Sequence, residues 1–137
     1  MRTSELLIII PAYNESGNIE KTIKMIEDHT PEFDYVIIND CSTDHTLEIC
    51  KKNHFNVIDL PINLGIGGAV QTGYQYAVQE GYQYAVQVDG DGQHNPEFIK
   101  NMLRVLQERK VNMVIGSRFI ENQGFQSSFL RRIGITF

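Results

Sequence analysis

Along this chain, short apolar runs alternate with stretches in which apolar residues recur every three or four positions. Such alternation predicts strands and helices in turn. Leu6-Leu7-Ile8-Ile9-Ile10 is a buried strand ended by Pro11. From Ser16 to His29, Ile19, Ile23 and Ile26 share one helical face, with Ser16 as the expected N-cap. Tyr35-Val36-Ile37-Ile38 predicts a second strand, and Ser42-Thr43-Asp44 offers caps for a helix running to about Asn53. Val57 to Leu60 predicts a third strand. Gly65-Ile66-Gly67-Gly68 reads as a tight turn before a helix to about Glu80. Tyr84 to Val88 predicts a fourth strand. Pro96 suits the first turn of a helix ending near Arg109, with Phe98, Met102, Val105 and Leu106 on one side. Val111 to Ile115 is expected as a fifth strand.

The strands are continuous apolar runs, as strands buried on both faces require, so the fold class is α/β: a mostly parallel sheet with helices on both faces. Right-handed crossovers are expected. One repeat tests this reading. Gly-Tyr-Gln-Tyr-Ala-Val-Gln occurs at Gly73–Gln79 and again at Gly81–Gln87. The first copy is assigned to a helix and the second to a loop and strand, because context overrides propensity.

Composition narrows the function classes. The 137 residues are 42% hydrophobic and 21% charged, ordinary values for one globular domain. A net charge of −5 argues against nucleic-acid binding through a broad basic face. Residues 118–137 differ, holding Arg118, Arg131 and Arg132 against Glu121. Cys41 and Cys50 are too few for a disulfide framework and fit no zinc spacing, which suggests reduced thiols in the cytoplasm. No apolar run is long enough to span a bilayer. The first apolar run is too short for a secretion signal, and Glu5 interrupts its approach.

In parallel sheets ligands bind beyond the carboxyl ends of the strands, so the residues following each strand are the candidates. They are Pro11-Ala12-Tyr13-Asn14-Glu15, Asn39-Asp40-Cys41-Ser42-Thr43-Asp44, Asn63-Leu64-Gly65 with the glycines to Gly68, Asp89-Gly90-Asp91-Gly92-Gln93-His94, and Gly116-Ser117-Arg118. By this reading the opposite edge has no comparable cluster. Asp89 and Asp91 repel each other unless a cation sits between them, and a hard divalent ion does that, with Gln93 and His94 as further candidate ligands. The same run also reads as a polar turn. An EF-hand is excluded, because its sixth and twelfth positions would be His94 and Lys100. Val70 stands where a dinucleotide fingerprint needs its third glycine, and no Walker A lysine motif occurs. The glycines either make a tight turn or aim amides at phosphate. Asp40 either accepts hydrogen bonds from a ligand or caps the next helix. The other histidines, His29, His45 and His54, read as surface residues.

Taken in order, these loops resemble family 2 glycosyltransferases of the GT-A (Rossmann-like) fold. Pro11 to Glu15 matches that family's opening motif, and Asn39 to Asp44 resembles its D-D-G-S-T-D. Asn63-Leu64-Gly65 resembles N-x-G-x-G, and Asp89-Gly90-Asp91 resembles the D-x-D metal motif. Asp91-Gly92-Gln93-His94 with Pro96-Glu97, plus Gly116-Ser117-Arg118, resembles the polyprenyl-phosphate branch, that of dolichyl-phosphate mannosyltransferases. The resemblance implies a UDP- or GDP-sugar donor, Mg²⁺ or Mn²⁺, and sugar transfer with inversion to a polyprenyl phosphate in cell-envelope glycan synthesis. It places Pro11, Tyr13, Glu15, Asp40, Gly68, Asp89 and Arg118 at the nucleotide. It gives the metal to Asp89, Asp91 and Gln93, with Asp91 carrying the catalytic burden. Asn39 and Cys41 depart from the motif, replacing an acid and a glycine. Residues 1–119 would be the nucleotide-sugar-binding domain. Residues 120–137 would begin an acceptor-side or membrane-interface segment of a longer domain, peripheral at the inner face of the membrane. The alternatives are a nucleotide-sugar-binding module without transfer activity, and a nucleotidyltransferase. The latter usually has a glycine- and arginine-containing loop after the first strand, which this chain lacks.

Overall fold

A computed structural model of the chain describes residues 4–92 and 95–116. Gln93, His94, Ser117, Arg118 and the segment 120–137 lie outside the described residues. The elements are β1 (Leu6–Ala12), α1 (Ile19–His29), β2 (Asp34–Asn39), α2 (Thr46–Lys52), β3 (Val57–Asp59), α3 (Gly65–Gln79), β4 (Tyr84–Gln87) and α4 (Glu97–Arg109). The four strands pair in parallel in the order β3-β2-β1-β4.

β1 lies between two strands and two helical layers, and its residues Leu7, Ile8, Ile9 and Ile10 are fully buried. Burying each such side chain contributes about 1.5–3 kcal/mol. Its side chains alternate between two cores, as the pleat dictates. Leu6, Ile8, Ile10 and Ala12 pack with Ile19, Ile23 and Ile26 of α1, Cys50 of α2, and Ile99 and Leu103 of α4. Leu7 and Ile9 pack on the other face with Ala69 and Ala77 of α3. The chain winds from β1 outward to β3, then crosses by α3 to β4 on the other side of β1. Between β1 and β4 the strand order reverses, and at such a point a crevice opens beyond the strand ends.

The structure corrects several expectations. Residues 111–116 form no strand, and Met113 and Ile115 are 74% and 79% exposed. A strand needs a hydrogen-bonded neighbour, which apolar sequence alone does not supply. The glycines at 65–68 are not a turn before a helix but the first turn of α3. Ser16 does not cap α1, which begins at Ile19 after Asn18, without a side-chain cap. Neither Ser42 nor Thr43 caps α2; Asp44 Oδ1 instead accepts from the Thr46 amide (2.9 Å) and hydroxyl. The buried face of α4 is one residue out of phase with expectation: Ile99 and Leu103 are inside, and Phe98 is 63% exposed. The two copies of the repeat do adopt helix and strand, in α3 and β4 respectively.

Candidate functional site

At the carboxyl edge of the sheet the loops after β1 and β2 are laced together. β2 hands over to its loop with Asp40 N–H donating to Ala12 O (2.9 Å). Asn14 takes a left-handed backbone, φ 55°, which asparagine tolerates better than most residues. Its side-chain Oδ1 accepts from the amides of Thr43 (2.8 Å) and Asp44 (3.3 Å), while its own amide donates to Ser42 Oγ (3.0 Å). The amide of Glu15 donates to Thr46 Oγ1 (2.9 Å) and that of Ser16 to Asp44 Oδ2 (3.1 Å). Burial works to raise the pKa of Asp44, but the hydrogen bonds from Thr46 and Ser16 outweigh it and hold the carboxyl at about 2.

Asp40 is only 3% exposed. It does not cap α2. Its Oδ1 accepts the Leu64 amide (2.6 Å), and its backbone carbonyl accepts Asn63 Nδ2 (3.1 Å), so it holds the entry to α3. Among the described residues no donor reaches Oδ2. A buried carboxylate oxygen without a donor is costly and fits a ligand that supplies an N–H. Asn39, in place of the motif's first acid, is buried; its Nδ2 donates to Asp59 Oδ1 (2.7 Å) and its Oδ1 accepts Ser42 Oγ (2.6 Å). Cys41 keeps the left-handed turn its motif position implies, at φ 56°, despite being no glycine.

The loop after β4 meets this lacework. A Cβ on Gly90 would lie 3.3 Å from Pro11 O and 3.6 Å from Glu15 Cγ, so only a residue without a side chain sits easily there. Gly90, between Asp89 and Asp91, thus lies close to two of the residues assigned to the nucleotide. Gln87 Nε2 donates to Asp89 Oδ1 (3.0 Å). Tyr13 is half exposed at the same edge, and Gly68 lies in the first turn of α3. The structure therefore brings Pro11, Tyr13, Glu15, Asp40, Asp89 and Asp91 to one rim, with Gly68 on the helix that Asp40 holds. Sequence reading missed Thr22 and Thr46, because helix-borne threonines give no local signal of a bond to a distant loop.

The opposite edge is not empty of polar groups, contrary to the sequence reading. A cavity of about 520 Å³ there is lined by residues that include Glu27, Asp34, Tyr35, His54 and Tyr82. These come from separate elements, so no single stretch of sequence displays them. Tyr82 OH donates to Asp34 Oδ2 (2.8 Å), and burial pushes the Tyr35 hydroxyl up to about 12.

A parallel sheet of this order, with acidic loops gathered where the order reverses, defines a GT-A type α/β domain. The chain belongs to glycosyl transferase family 2, whose pattern it matches over residues 7–135. Its curated relatives include the undecaprenyl-phosphate mannosyltransferase of Micrococcus luteus, 32% identical over 118 residues, covering 82% of this chain and 48% of the relative. The polyprenol monophosphomannose synthase of Mycolicibacterium smegmatis is 27% identical over 124 residues, covering 86% and 46%. Among solved structures, S. aureus TarS 1-349 in complex with UDP superposes with a TM-score of 0.64 at 26% identity, covering 85% of this chain and 39% of that one. The mannosyltransferase PcManGT from Pyrobaculum calidifontis, in complex with GDP-Man and Mn²⁺, shares the fold at a TM-score of 0.60 and 19% identity, covering 77% and 33%. The chain spans about half the length of the curated relatives it matches. Among the described residues no helix is long and apolar enough to cross a membrane.

Proposed function

We propose that this chain is the donor-binding part of a glycosyltransferase that takes a UDP- or GDP-sugar with a divalent metal and passes the sugar, with inversion, to a polyprenyl phosphate. The observation that carries this reading is the closeness of Gly90 to the loop of Pro11 and Glu15, where even a Cβ would crowd Pro11 O, so that the acid pair stands beside the loop laced to Asp40. Oδ2 of buried Asp40, which no donor reaches among the described residues, suits a ring N–H of a nucleobase. Pro11, Tyr13 and Glu15 line the nucleotide, and the amides at the start of α3, up to Gly68, favour a phosphate. Arg118, by its place in the motif, adds a positive charge for the diphosphate.

Asp89 and Asp91 offer hard oxygen donors on either side of Gly90, which fits Mg²⁺ or Mn²⁺. Such ions take one or two carboxylates and complete their shell with phosphate and water, and Gln93 would stand in that shell. When bound, the ion supplies positive charge to the departing diphosphate. A polyprenyl phosphate oxygen is already anionic near neutral pH, so attack on the anomeric carbon from the face opposite the diphosphate needs no general base. The relatives named for polyprenyl-phosphate transfer support this acceptor, and with it a peripheral position at the inner face of a membrane.

Calorimetric titration of UDP and GDP with and without Mn²⁺ tests the donor reading. Metal-dependent binding of one of them is expected; no metal-dependent binding of either overturns it. Release of sugar from the donor on adding polyprenyl phosphate to the full-length protein tests transfer, and binding without release leaves a nucleotide-sugar-binding module.

A further inference from the structure

The geometry points to Thr22 as the positioning residue that sets the acid pair from beneath, an inference that rests on the metal-binding reading of Asp89 and Asp91. Thr22 is on α1 and 1% exposed. Its Oγ1 donates to Gly90 O at 2.9 Å, across 68 positions of sequence. A threonine in a helix ordinarily returns its hydroxyl to the carbonyl four residues back. Thr72 does so to Gly68 (2.9 Å), and Thr30, capping α1, does so to Ile26 (2.8 Å). Thr22 spends its hydroxyl on another loop instead.

The consequence follows from the planarity of the peptide unit. The carbonyl of Gly90 and the amide of Asp91 belong to one rigid plane. Holding the carbonyl restrains that plane, and so narrows the directions in which Asp91 can present its side chain. A Cβ on Gly90 would lie 3.3 Å from Pro11 O, so the loop leaves little room beside the held peptide. The next residue but one, Gly92, turns away with φ 73°, and a Cβ on it would lie 3.5 Å from the same Thr22 oxygen. Two carboxylates so close in sequence repel one another and would splay on a free loop. The bond from α1 restrains the peptide between them before any cation arrives. Groups that orient metal ligands in this way typically carry ten- to a hundredfold in metal affinity.

The test compares Thr22→Val, which keeps the shape and loses the hydroxyl, with Thr22→Ser, which keeps the hydroxyl. Mn²⁺ binding is read by electron paramagnetic resonance in the presence of UDP or GDP, and folding by circular dichroism. The expected result is affinity about tenfold weaker in Thr22→Val and close to wild type in Thr22→Ser. Equal affinity in Thr22→Val and wild type overturns the inference, as does a Thr22→Ser variant as weak as Thr22→Val. Thr22→Ala replaces Thr22→Val if the latter fails to fold. Should wild type bind no Mn²⁺, the metal reading fails by itself. The Gly90 carbonyl-carbon and Asp91 amide-nitrogen chemical shifts of the metal-free protein, which respond to a hydrogen bond on Gly90 O, then decide on Thr22. Shifts moved in Thr22→Val and kept in Thr22→Ser uphold the positioning role, and equal shifts in all three proteins remove it.

Discussion

The rim is built from two acidic loops that do opposite things with their charge. In residues 39–46 the polar groups are absorbed into structure: Asp44 accepts from Ser16 and Thr46, Asn14 reaches across to two amides, and Asp40 holds Leu64. In residues 89–92 the backbone is held by Thr22 on Gly90 O, Asp89 accepts from its near neighbour Gln87, and the two carboxylates flank the held peptide. The first loop is a scaffold whose hydrogen bonds stabilise the fold. The second sets two carboxylates on either side of one glycine, where a bound cation would be attracted to both. Stability and binding should therefore separate when each is cut.

The largest effect is expected from Asp91→Asn, which should weaken metal-dependent nucleotide binding on the order of 100-fold, about 2.8 kcal/mol. Its urea midpoint should change far less than the binding does. Calorimetry and urea denaturation on one preparation read both, and a large loss of stability with binding intact would invert the comparison. Asn14→Ala is the converse. It strands two backbone amides and puts alanine in a left-handed turn, so about 2 kcal/mol of folding stability should go. A urea midpoint unchanged by that variant would show that the lacework is not a scaffold.

The acid limb of stability comes next in size. Asp44 titrates at about 2 in the folded chain, below its ordinary unfolded value of about 3.9. The stability it contributes is therefore complete above pH 4 and lost as pH falls from about 4 towards 2. Urea midpoints at pH 5 and pH 3 should differ less in Asp44→Asn than in wild type, and an identical difference would sink the assignment. The smallest effect is expected from Cys41→Gly. It relieves a left-handed φ of 56° but frees the unfolded chain, for a net gain of about 0.5 kcal/mol. A loss on thermal melting would mean that the Sγ contact with Pro61 O outweighs the strain.

Much of the rim was legible because parallel strands deliver their following residues to one edge, so apolar runs alone told which loops meet. Asp40 illustrates the limit. Its burial could be guessed from its place at the end of a buried strand, but not its bond to Leu64, 24 positions away. Thr22 was invisible for the same reason at greater distance. The fifth strand failed because Val111–Ile115 has the composition of a strand without a described neighbour to pair with. The face of α4 slipped by one residue because Phe98 and Ile99 are equally apolar and only contact with β1's layer chooses between them.

The repeated heptapeptide draws the boundary most sharply. Local pattern was enough to establish four apolar strands, two of them buried and two half-buried at the sheet's edges, their parallel pairing and the edge where acids and glycines collect, since each follows from burial and periodicity within a few residues. It could not say why Gly-Tyr-Gln-Tyr-Ala-Val-Gln is helix once and strand once. In α3, Gly73 lies so near Ile9 that a Cβ would overlap Cγ2, and Ala77 is buried against the sheet. In the second copy Gly81 turns at φ 77°, Tyr82 bonds Asp34, and Tyr84 to Gln87 pair with Leu6 to Ile9. Identical residues took opposite forms because their partners come from β1 and β2, and contacts with distant parts of the chain outweigh the small intrinsic preferences of seven residues.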